Sequence, residues 1–132
     1  MKKLLLLLLP ILISFKTYGE WVHLGDGETE GVNKGMSIYL ENETFKKHDG
    51  FVYYWTLTDA LVPTVYGDLS WKTYHQGDCD VNRYKRLGLY WYTQPMGKGP
   101  TSSVDTDQTE WKYTIPESSA YYELLFACKL TE

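Results

Sequence analysis

Two cysteines, Cys79 and Cys128, constrain this 132-residue chain more than any other feature of its sequence. Cys79 falls in a predicted turn between two strands, and Cys128 falls in a predicted amphipathic helix near the C-terminus. Because the N-terminal residues have the pattern of an export signal, both thiols are expected in an oxidising compartment, where two cysteines have one intramolecular pairing. The sequence therefore predicts a disulfide that ties a C-terminal helix to a β-sheet. The alternative, a reactive or metal-binding thiol, is disfavoured because the chain has no CxxC motif.

The N-terminal residues have the three parts of a secretory signal peptide. Two lysines are followed by an apolar run and then by small residues before Glu20. The apolar run is shorter than the ~20 residues that a membrane-spanning helix needs. We therefore predict a signal peptide at 1–19 and one exported domain at 20–132, with no integral membrane span after cleavage; an uncleaved anchor is the alternative. No cysteine lies directly after the apolar run, so the predicted location is the periplasm, the cell surface or the medium, without a lipid anchor.

Charge excludes two classes of partner. Three lysines and no acids lie within 1–19, so the predicted mature domain has 10 basic and 17 acidic residues and a net charge of −7. This excess of negative charge argues against binding to nucleic acid or to anionic lipid. The 113 residues that remain after cleavage are enough for a single core and too few for two.

Past residue 20 the sequence alternates between apolar and polar side chains with a period of two, which is the pattern of β-strands. The strongest predicted strand, 51–62, has apolar or β-branched residues on both faces and is therefore predicted to be central in the sheet. Gly77-Asp78 predicts a turn, and Gly88 predicts a bulge in the long strand that follows. The predicted strands are 20–24, 36–40, 51–62, 68–76 and 79–93, with a brief pairing at 110–113.

One amphipathic helix is predicted at the C-terminus. Its cap is placed within 114–119, either as a capping box of Thr114 and Glu117 or as one of the two serines that follow. The residues predicted to face the core are Tyr121, Leu124, Leu125 and Cys128. The predicted fold class is therefore α+β, a small antiparallel sheet of about five to six strands with a C-terminal helix packed on it and tied by the disulfide.

Aromatic residues are the strongest candidates for a binding function. The chain has 12 Tyr and 5 Trp, and they are concentrated at 53–55, 90–92 and 121–122. One interpretation is that they fill the core and cover the back of the sheet; the other is an exposed binding surface, in which Tyr and Trp are enriched. The long segment 94–109, rich in Gly, Pro, Ser and Asp, is predicted to be a loop of functional or irregular character. The candidate binding residues are Tyr54, Tyr90, Tyr92 and Lys98.

Catalytic and metal chemistry find little support. His75 and Cys79 have neighbouring acidic residues, but the predicted disulfide uses Cys79, which weakens both a metal site and a Cys-His catalytic pair. The basic group Arg83, Lys85 and Arg86 is predicted to be a solvated strand edge, with a small anion-binding patch as the alternative. We predict no catalytic residue, no metal and no cofactor, and we predict that the protein is not an enzyme.

Several segments resemble the surface-adhesin protein E family of bacterial exported domains. They are 50–55, 66–70, 76–79, 94–99 and 111–113, in that order, followed by a helix that carries the last cysteine. The resemblance implies an antiparallel sheet with a disulfide-tied C-terminal helix, a non-enzymatic role, binding to extracellular-matrix and serum proteins, and a possible homodimer. The chain differs from the family's surface lipoprotein in lacking a lipid-attachment cysteine.

Two functions follow from these observations. The first is a non-catalytic, adhesin-like exported binding module with an extracellular or envelope protein as its partner. The alternative is a periplasmic structural or envelope-associated protein with no adhesive role. A hydrolase that uses acidic residues not identifiable from the sequence ranks third.

Overall fold

The computed structural model describes residues 21–27 and 35–132. The predicted signal peptide, 1–19, lies outside the described residues. Eight strands, one short 3-10 helix and one α-helix occupy the described part of the chain. Their bounds are β1 Trp21–Asp26, β2 Met36–Glu41, β3 Lys46–His48, β4 Phe51–Ala60, β5 Ser70–Asp78, β6 Arg83–Tyr92, a 3-10 helix Pro95–Gly97, β7 Thr101–Asp105, β8 Lys112–Tyr113 and α1 Ser119–Leu130.

The strands form one antiparallel sheet in the order β1-β2-β4-β5-β6-β7. Two short strands extend it, since β3 pairs with the start of β4 and β8 pairs with the start of β6. This arrangement confirms the predicted α+β fold, the central position of β4 and the brief pairing around 110–113. The main path has six strands. Of these, β7 lies in the segment predicted to be a loop; β8 is the brief pairing predicted at 110–113, and β3 was not predicted.

A tight turn fixes the register of β3 on β4. His48 pairs with Phe51 across it, and the two residues between them, Asp49 and Gly50, both have positive φ values, 52° and 82°. Two consecutive positive φ values are typical of the type I′ turn, whose twist suits a two-residue hairpin. The Asp-Gly sequence therefore sets which side chains of β4 point to each face of the sheet.

The core lies between α1 and one face of the sheet. Ser118 caps the helix, and its hydroxyl oxygen accepts a hydrogen bond from the Tyr121 N–H at 3.2 Å. The cap is one of the serines predicted for that role. The buried apolar residues at this interface are Leu40, Val52 and Tyr54 from the sheet and Leu124 and Ala127 from the helix.

The predicted buried stripe of the helix is partly wrong. Leu124 is buried and Cys128 packs against the core, but Tyr121 and Leu125 are only half-buried. Glu123 and Ala127 are buried in addition. The helix is therefore rotated so that a carboxyl group, which no apolar pattern identifies, faces the sheet.

The predicted disulfide is confirmed. Cys79 and Cys128 are bonded across a Cα–Cα distance of 5.9 Å, and Cys79 lies in the turn between β5 and β6. The prediction that Gly77-Asp78 forms this turn is wrong, because both residues belong to β5 and the turn follows them. Gly77 has another role: a Cβ atom there would lie 2.4 Å from the Leu124 side chain, so glycine lets the helix approach the strand.

Two further predictions concern the segments on either side of β6. The loop predicted at 94–109 is partly ordered, because it contains the 3-10 helix and β7, which pairs with β6. The bulge predicted at Gly88 falls one residue earlier: Gly88 pairs with Tyr74 and Arg86 pairs with His75, which leaves Leu87 as the extra residue.

Candidate functional site

The face of the sheet opposite α1 has a continuous set of aromatic side chains. Val52 and Tyr54 of β4 point toward the helix, so the alternating residues of the same strand point away from it. Cross-strand pairing places side chains of β5 and β6 beside them. We call this surface the aromatic face and define it by Phe51, Tyr53, Trp55, Tyr74, Tyr90 and Trp111.

The centre of the aromatic face is a row of rings that crosses three strands. Trp55 stacks on Tyr74 with ring centroids 4.7 Å apart and also contacts Tyr90 at 5.5 Å. Tyr53 lies 6.3 Å from Tyr74 on the other side. All four side chains are half-buried, so each ring is held by its neighbours and still presents part of its surface to solvent. The row is a rigid apolar platform with hydroxyl groups available at its tyrosines.

One end of the aromatic face has positive charge. The Trp111 ring lies 5.4 Å from the Phe51 ring, and it is flanked by the Arg83 guanidinium at 4.5 Å and the Lys85 ammonium at 5.0 Å. Arg83 is also paired with Asp78, with Nε 3.0 Å from a carboxylate oxygen. Cation–π interactions hold the two cationic groups beside the indole. A ligand that covers Trp111 would therefore also contact these positive charges.

The other end of the same face is more enclosed. The Lys72 ammonium lies 5.1 Å from the Tyr92 ring and 5.8 Å from the Trp21 ring. Burial lowers the pKa of Lys72, and the nearby Glu41 carboxylate opposes that effect. Backbone of the 3-10 helix packs over this side chain, because a Cβ added at Gly97 would lie 2.4 Å from the Lys72 side chain. This end is therefore less open to a partner than the Trp111 end.

The structure separates the four predicted binding residues. The prediction that Tyr54 is a surface residue is wrong, because Tyr54 is 1% exposed and stacks on the His75 ring beneath the helix, with ring centroids 4.9 Å apart. The prediction that Tyr92 is a surface residue is also wrong, since Tyr92 is 9% exposed and lies under Lys72. Tyr90 lies on the aromatic face, and Lys98 is exposed just after the 3-10 helix. A binding role for Tyr90 and Lys98 stays a prediction.

Sequence reasoning missed most of the aromatic face. Tyr53 and Trp55 were identified only as members of an aromatic cluster, and Tyr74 and Trp111 were not singled out. The alternation in β4 separates Tyr53 and Trp55 from Tyr54, but it does not say which set the helix covers. Only the position of α1 settles that assignment, and it buries Tyr54.

The basic group predicted at 83–86 is split between the two faces. Arg83 and Lys85 lie beside Trp111, whereas Arg86 pairs with His75 across β5 and β6 on the helix side. Arg86 donates from a terminal nitrogen to Asp105 at 3.4 Å, while its Nε is buried without a hydrogen-bond partner. These residues therefore do not form one anion-binding patch.

A buried ionisable pair lies on the helix side of the sheet. His75 is 7% exposed and Glu123 is 9% exposed, and His75 Nε2 is 3.9 Å from a Glu123 carboxyl oxygen. The same nitrogen is hydrogen-bonded to the Thr56 hydroxyl at 2.9 Å. Burial lowers the pKa of His75 to about 3, with a further contribution from the Arg86 charge, and burial raises the pKa of Glu123 to about 8. At neutral pH both side chains are therefore mainly uncharged.

Comparison with known proteins gives the family. The family model described as surface-adhesin protein E matches residues 21–129 of the chain. The chain belongs to this family. Two crystal structures of protein E from Haemophilus influenzae are similar in fold, one from crystal form II and one from a non-typeable strain. No curated protein sequence gave a significant match to the chain.

The two similar structures share the fold at low sequence identity. The crystal form II structure is 14% identical, with a TM-score of 0.59, and the match covers 82% of this chain and 96% of that one. The structure from the non-typeable strain is 13% identical, with a TM-score of 0.54, and the match covers 83% and 84%. At such identities the likeness establishes the fold alone. The family assignment therefore rests on the match over residues 21–129.

Family membership supports an adhesin-like, exported or cell-surface protein without an enzymatic role. Within residues 21–27 and 35–132, no helix has the length and apolar character needed to cross a membrane. The same part of the chain contains no group of three or more His, Cys, Asp or Glu side chains arranged to hold a metal ion. Cys79 is not available as a nucleophile or metal ligand, because its sulfur is in the disulfide. The predicted homodimer and the identity of the partner stay predictions.

The buried pair predicts how the stability of this adhesin E family member depends on pH. The pKa of His75 falls from 6.5 to about 3 on folding, and that of Glu123 rises from 4.5 to about 8. Between pH 4.5 and 6.5 the folded and unfolded chains hold equal numbers of protons on this pair, so its contribution to stability is flat. Below pH 4.5 the unfolded chain holds one more proton, and above pH 6.5 the folded chain holds one more. The free energy of unfolding should therefore fall on both sides of this plateau, toward pH 3 and toward pH 8.

Urea unfolding from pH 3 to 9 measures this profile. Glu123→Gln should remove the decrease between pH 6.5 and 8 and make the acid decrease begin at pH 6.5, because the uncharged glutamine no longer offsets the proton that His75 takes up on unfolding. Glu43→Gln, an exposed change of the same kind, should leave both sides as in the wild type. A wild-type alkaline decrease that Glu123→Gln does not alter would show that this carboxyl is not the group responsible.

Proposed function

We propose that this protein is a non-catalytic, exported binding module that presents its aromatic face to a protein outside the cell. The observation that carries the proposal is the row formed by Tyr53, Trp55, Tyr74 and Tyr90, which is rigid, half-exposed and continuous across three strands. Tyr and Trp are enriched among the residues that dominate binding energy at protein interfaces. Side chains already held by their neighbours lose little conformational entropy when a partner covers them.

The charges beside the rings indicate what kind of surface fits. Arg83 and Lys85 lie next to Trp111, and Lys46 is exposed directly opposite Tyr53 in the register of β3 and β4. The chain as a whole is acidic, so these cations form a local exception to its charge. A partner surface with an apolar centre and acidic groups toward the Trp111 end complements this arrangement.

Family membership makes an extracellular-matrix or serum protein the first class of partner to test. The alternative is an envelope-associated protein that stays in the periplasm, because the residue directly after the predicted signal peptide is Glu20 and not a cysteine to which a lipid could be attached. These two functions place the same aromatic face in different compartments. They therefore predict different exposure of the protein on intact cells.

Protease treatment of intact cells, with the protein followed by antibody and a periplasmic protein as control, distinguishes the two functions. We expect loss of the protein while the periplasmic control survives, because an adhesin must reach its partner from outside. The purified protein should then bind at least one member of an immobilised panel of matrix and serum proteins. Protection until the outer envelope is opened, together with no binding to the panel, would contradict the adhesive function and favour the periplasmic one.

A further inference from the structure

A cleft with a volume of about 590 Å³ lies on the helix side of the sheet, separate from the aromatic face. It opens between the N-terminal end of α1 and strands β1 and β2. Its apolar lining includes Met36, Ile38 and Trp71, with Tyr122 contributed by the helix. The volume is within the range of small-molecule sites, and apolar walls with a few polar groups are typical of such sites.

The cleft has an unpartnered carboxyl group in its lining. Glu123 lines the cleft and is 9% exposed, and no hydrogen bond joins its carboxyl group to another of the described residues. His75 Nε2, at 3.9 Å, is too distant for a hydrogen bond and is already bonded to Thr56. A carboxyl group in the wall of a cleft that makes no hydrogen bond to the protein is free to form one with a ligand.

The mouth of the cleft selects for positive charge. Asp26 and Glu117 are exposed acidic residues in its lining, and the lining residues within the described part of the chain include no lysine, arginine or histidine. Hydrogen bonds from Ser37 and His23 lower the pKa of Asp26, which keeps its carboxylate ionised. The start of α1 has a partial positive charge of about half a unit, which is smaller than the combined charge of these two carboxylates.

We propose that this cleft binds a small organic ammonium ion with an apolar body, with the ammonium group at Glu123 and the body against Trp71 and Ile38. The ammonium ion provides donors for the unpartnered carboxyl, and the indole of Trp71 favours both an apolar group and an adjacent cation. Asp26 and Glu117 attract the cation to the mouth. This site is independent of the aromatic face and of the partner proposed for it.

Binding at neutral pH should release a proton. Burial raises the pKa of Glu123 to about 8, so the carboxyl is mainly protonated at pH 7 in the empty cleft. An ammonium ion favours the carboxylate, so the carboxyl proton passes to solvent as the ion pair forms. The other titratable groups that face Glu123 are His75 from β5, Tyr54 from β4 and Tyr84 from β6. Burial keeps all three uncharged at pH 7, so Glu123 is the source of the proton.

Three probes of one shape test the proposal: phenethylamine, 2-phenylethanol and 3-phenylpropionate, titrated calorimetrically into the purified protein at pH 7. We expect the amine to bind at least about tenfold more tightly than the alcohol, since a charged hydrogen-bonded pair replaces a neutral contact, and the acid not to bind. Titrations in two buffers with different heats of ionisation should show proton release with the amine only. Equal affinities for amine and alcohol, or no binding of the amine, would overturn the proposal.

Matched variants assign the binding to the cleft. Glu123→Gln should lower the affinity for phenethylamine about tenfold and abolish proton release, whereas Glu43→Gln on the exposed loop after β2 should change neither. The double change Asp26→Asn and Glu117→Gln tests the mouth independently, should Glu123→Gln fail to fold, and we expect about threefold weaker binding. Unchanged affinity in a folded Glu123→Gln protein would overturn the assignment.

Discussion

Replacement of both Cys79 and Cys128 by serine should lower the free energy of unfolding by roughly 4 kcal/mol. The disulfide closes a loop with a sequence separation of 49, and the chain-entropy model assigns roughly this value to a loop of that length. For a domain of this size the change corresponds to a fall of about 15 °C in the melting temperature. Thermal unfolding followed by circular dichroism measures it directly.

Reduction provides the matched control for this prediction. Treatment of the wild-type protein with a reductant should reproduce the melting temperature of the double serine variant, and the variant itself should not respond to reductant. The double change also avoids a single unpaired thiol, which would form intermolecular disulfides. A loss of less than about 1 kcal/mol would mean that the contacts of Leu124 and Ala127 with the sheet hold the helix in place without the bond.

The disulfide is also the part of the fold that the sequence predicted most completely. Two cysteines in an exported chain leave one pairing, and strand periodicity together with helix spacing places each of them in the right kind of element. Central position for β4 follows from the apolar residues on both of its faces. These features depend on local residue patterns and on the number of cysteines, and both can be read from a single sequence.

Gly77 shows where local pattern is insufficient. In the sequence it precedes Asp78, and that dipeptide predicts a turn; in the structure it lies within β5, where a side chain would clash with Leu124 of the helix. A glycine needed for a turn and a glycine needed for close approach look the same in the sequence. Only the position of the helix distinguishes them.

The candidate site was likewise only partly predictable from the sequence. Sequence reasoning located aromatic clusters and selected Tyr54 and Tyr90 as surface residues, but α1 buries one face of β4 and so removes Tyr54. Glu123 was missed altogether, because a lone carboxyl within an apolar helix pattern is expected to point to solvent. Its burial beside His75 arises from the rotation of α1 on the sheet, which depends on packing over the whole interface.

Loss of partner binding is the largest functional effect expected from a change on the aromatic face. Trp55 and Tyr90 are neighbours in the row, with ring centroids 5.5 Å apart, and they are of the residue types that contribute most at protein interfaces. Removing both should weaken binding at least about thirtyfold, which is what one interface residue worth about 2 kcal/mol contributes. Binding weakens because the double change removes the rigid apolar surface that the partner covers, and no neighbouring side chain replaces that surface.

Tyr66 provides a stringent control for this change. It is 89% exposed, more than any ring of the aromatic face, and it lies in the loop between β4 and β5. If exposed tyrosine surface in general promoted binding, Tyr66→Ala would weaken it as much as Tyr90→Ala. If the aromatic face is the site, Tyr66→Ala should have no effect. Circular dichroism and melting temperature should confirm that each variant is folded.

The measurement that tests the central claim most directly is the affinity of these variants for the matrix or serum protein that the wild type binds. Biolayer interferometry with the immobilised partner should show wild-type affinity for Tyr66→Ala, weaker binding for Tyr90→Ala, and at least about thirtyfold weaker binding for the Trp55→Ala and Tyr90→Ala double variant. Wild-type affinity in a folded double variant would contradict the account, because binding would then occur on another surface of the protein.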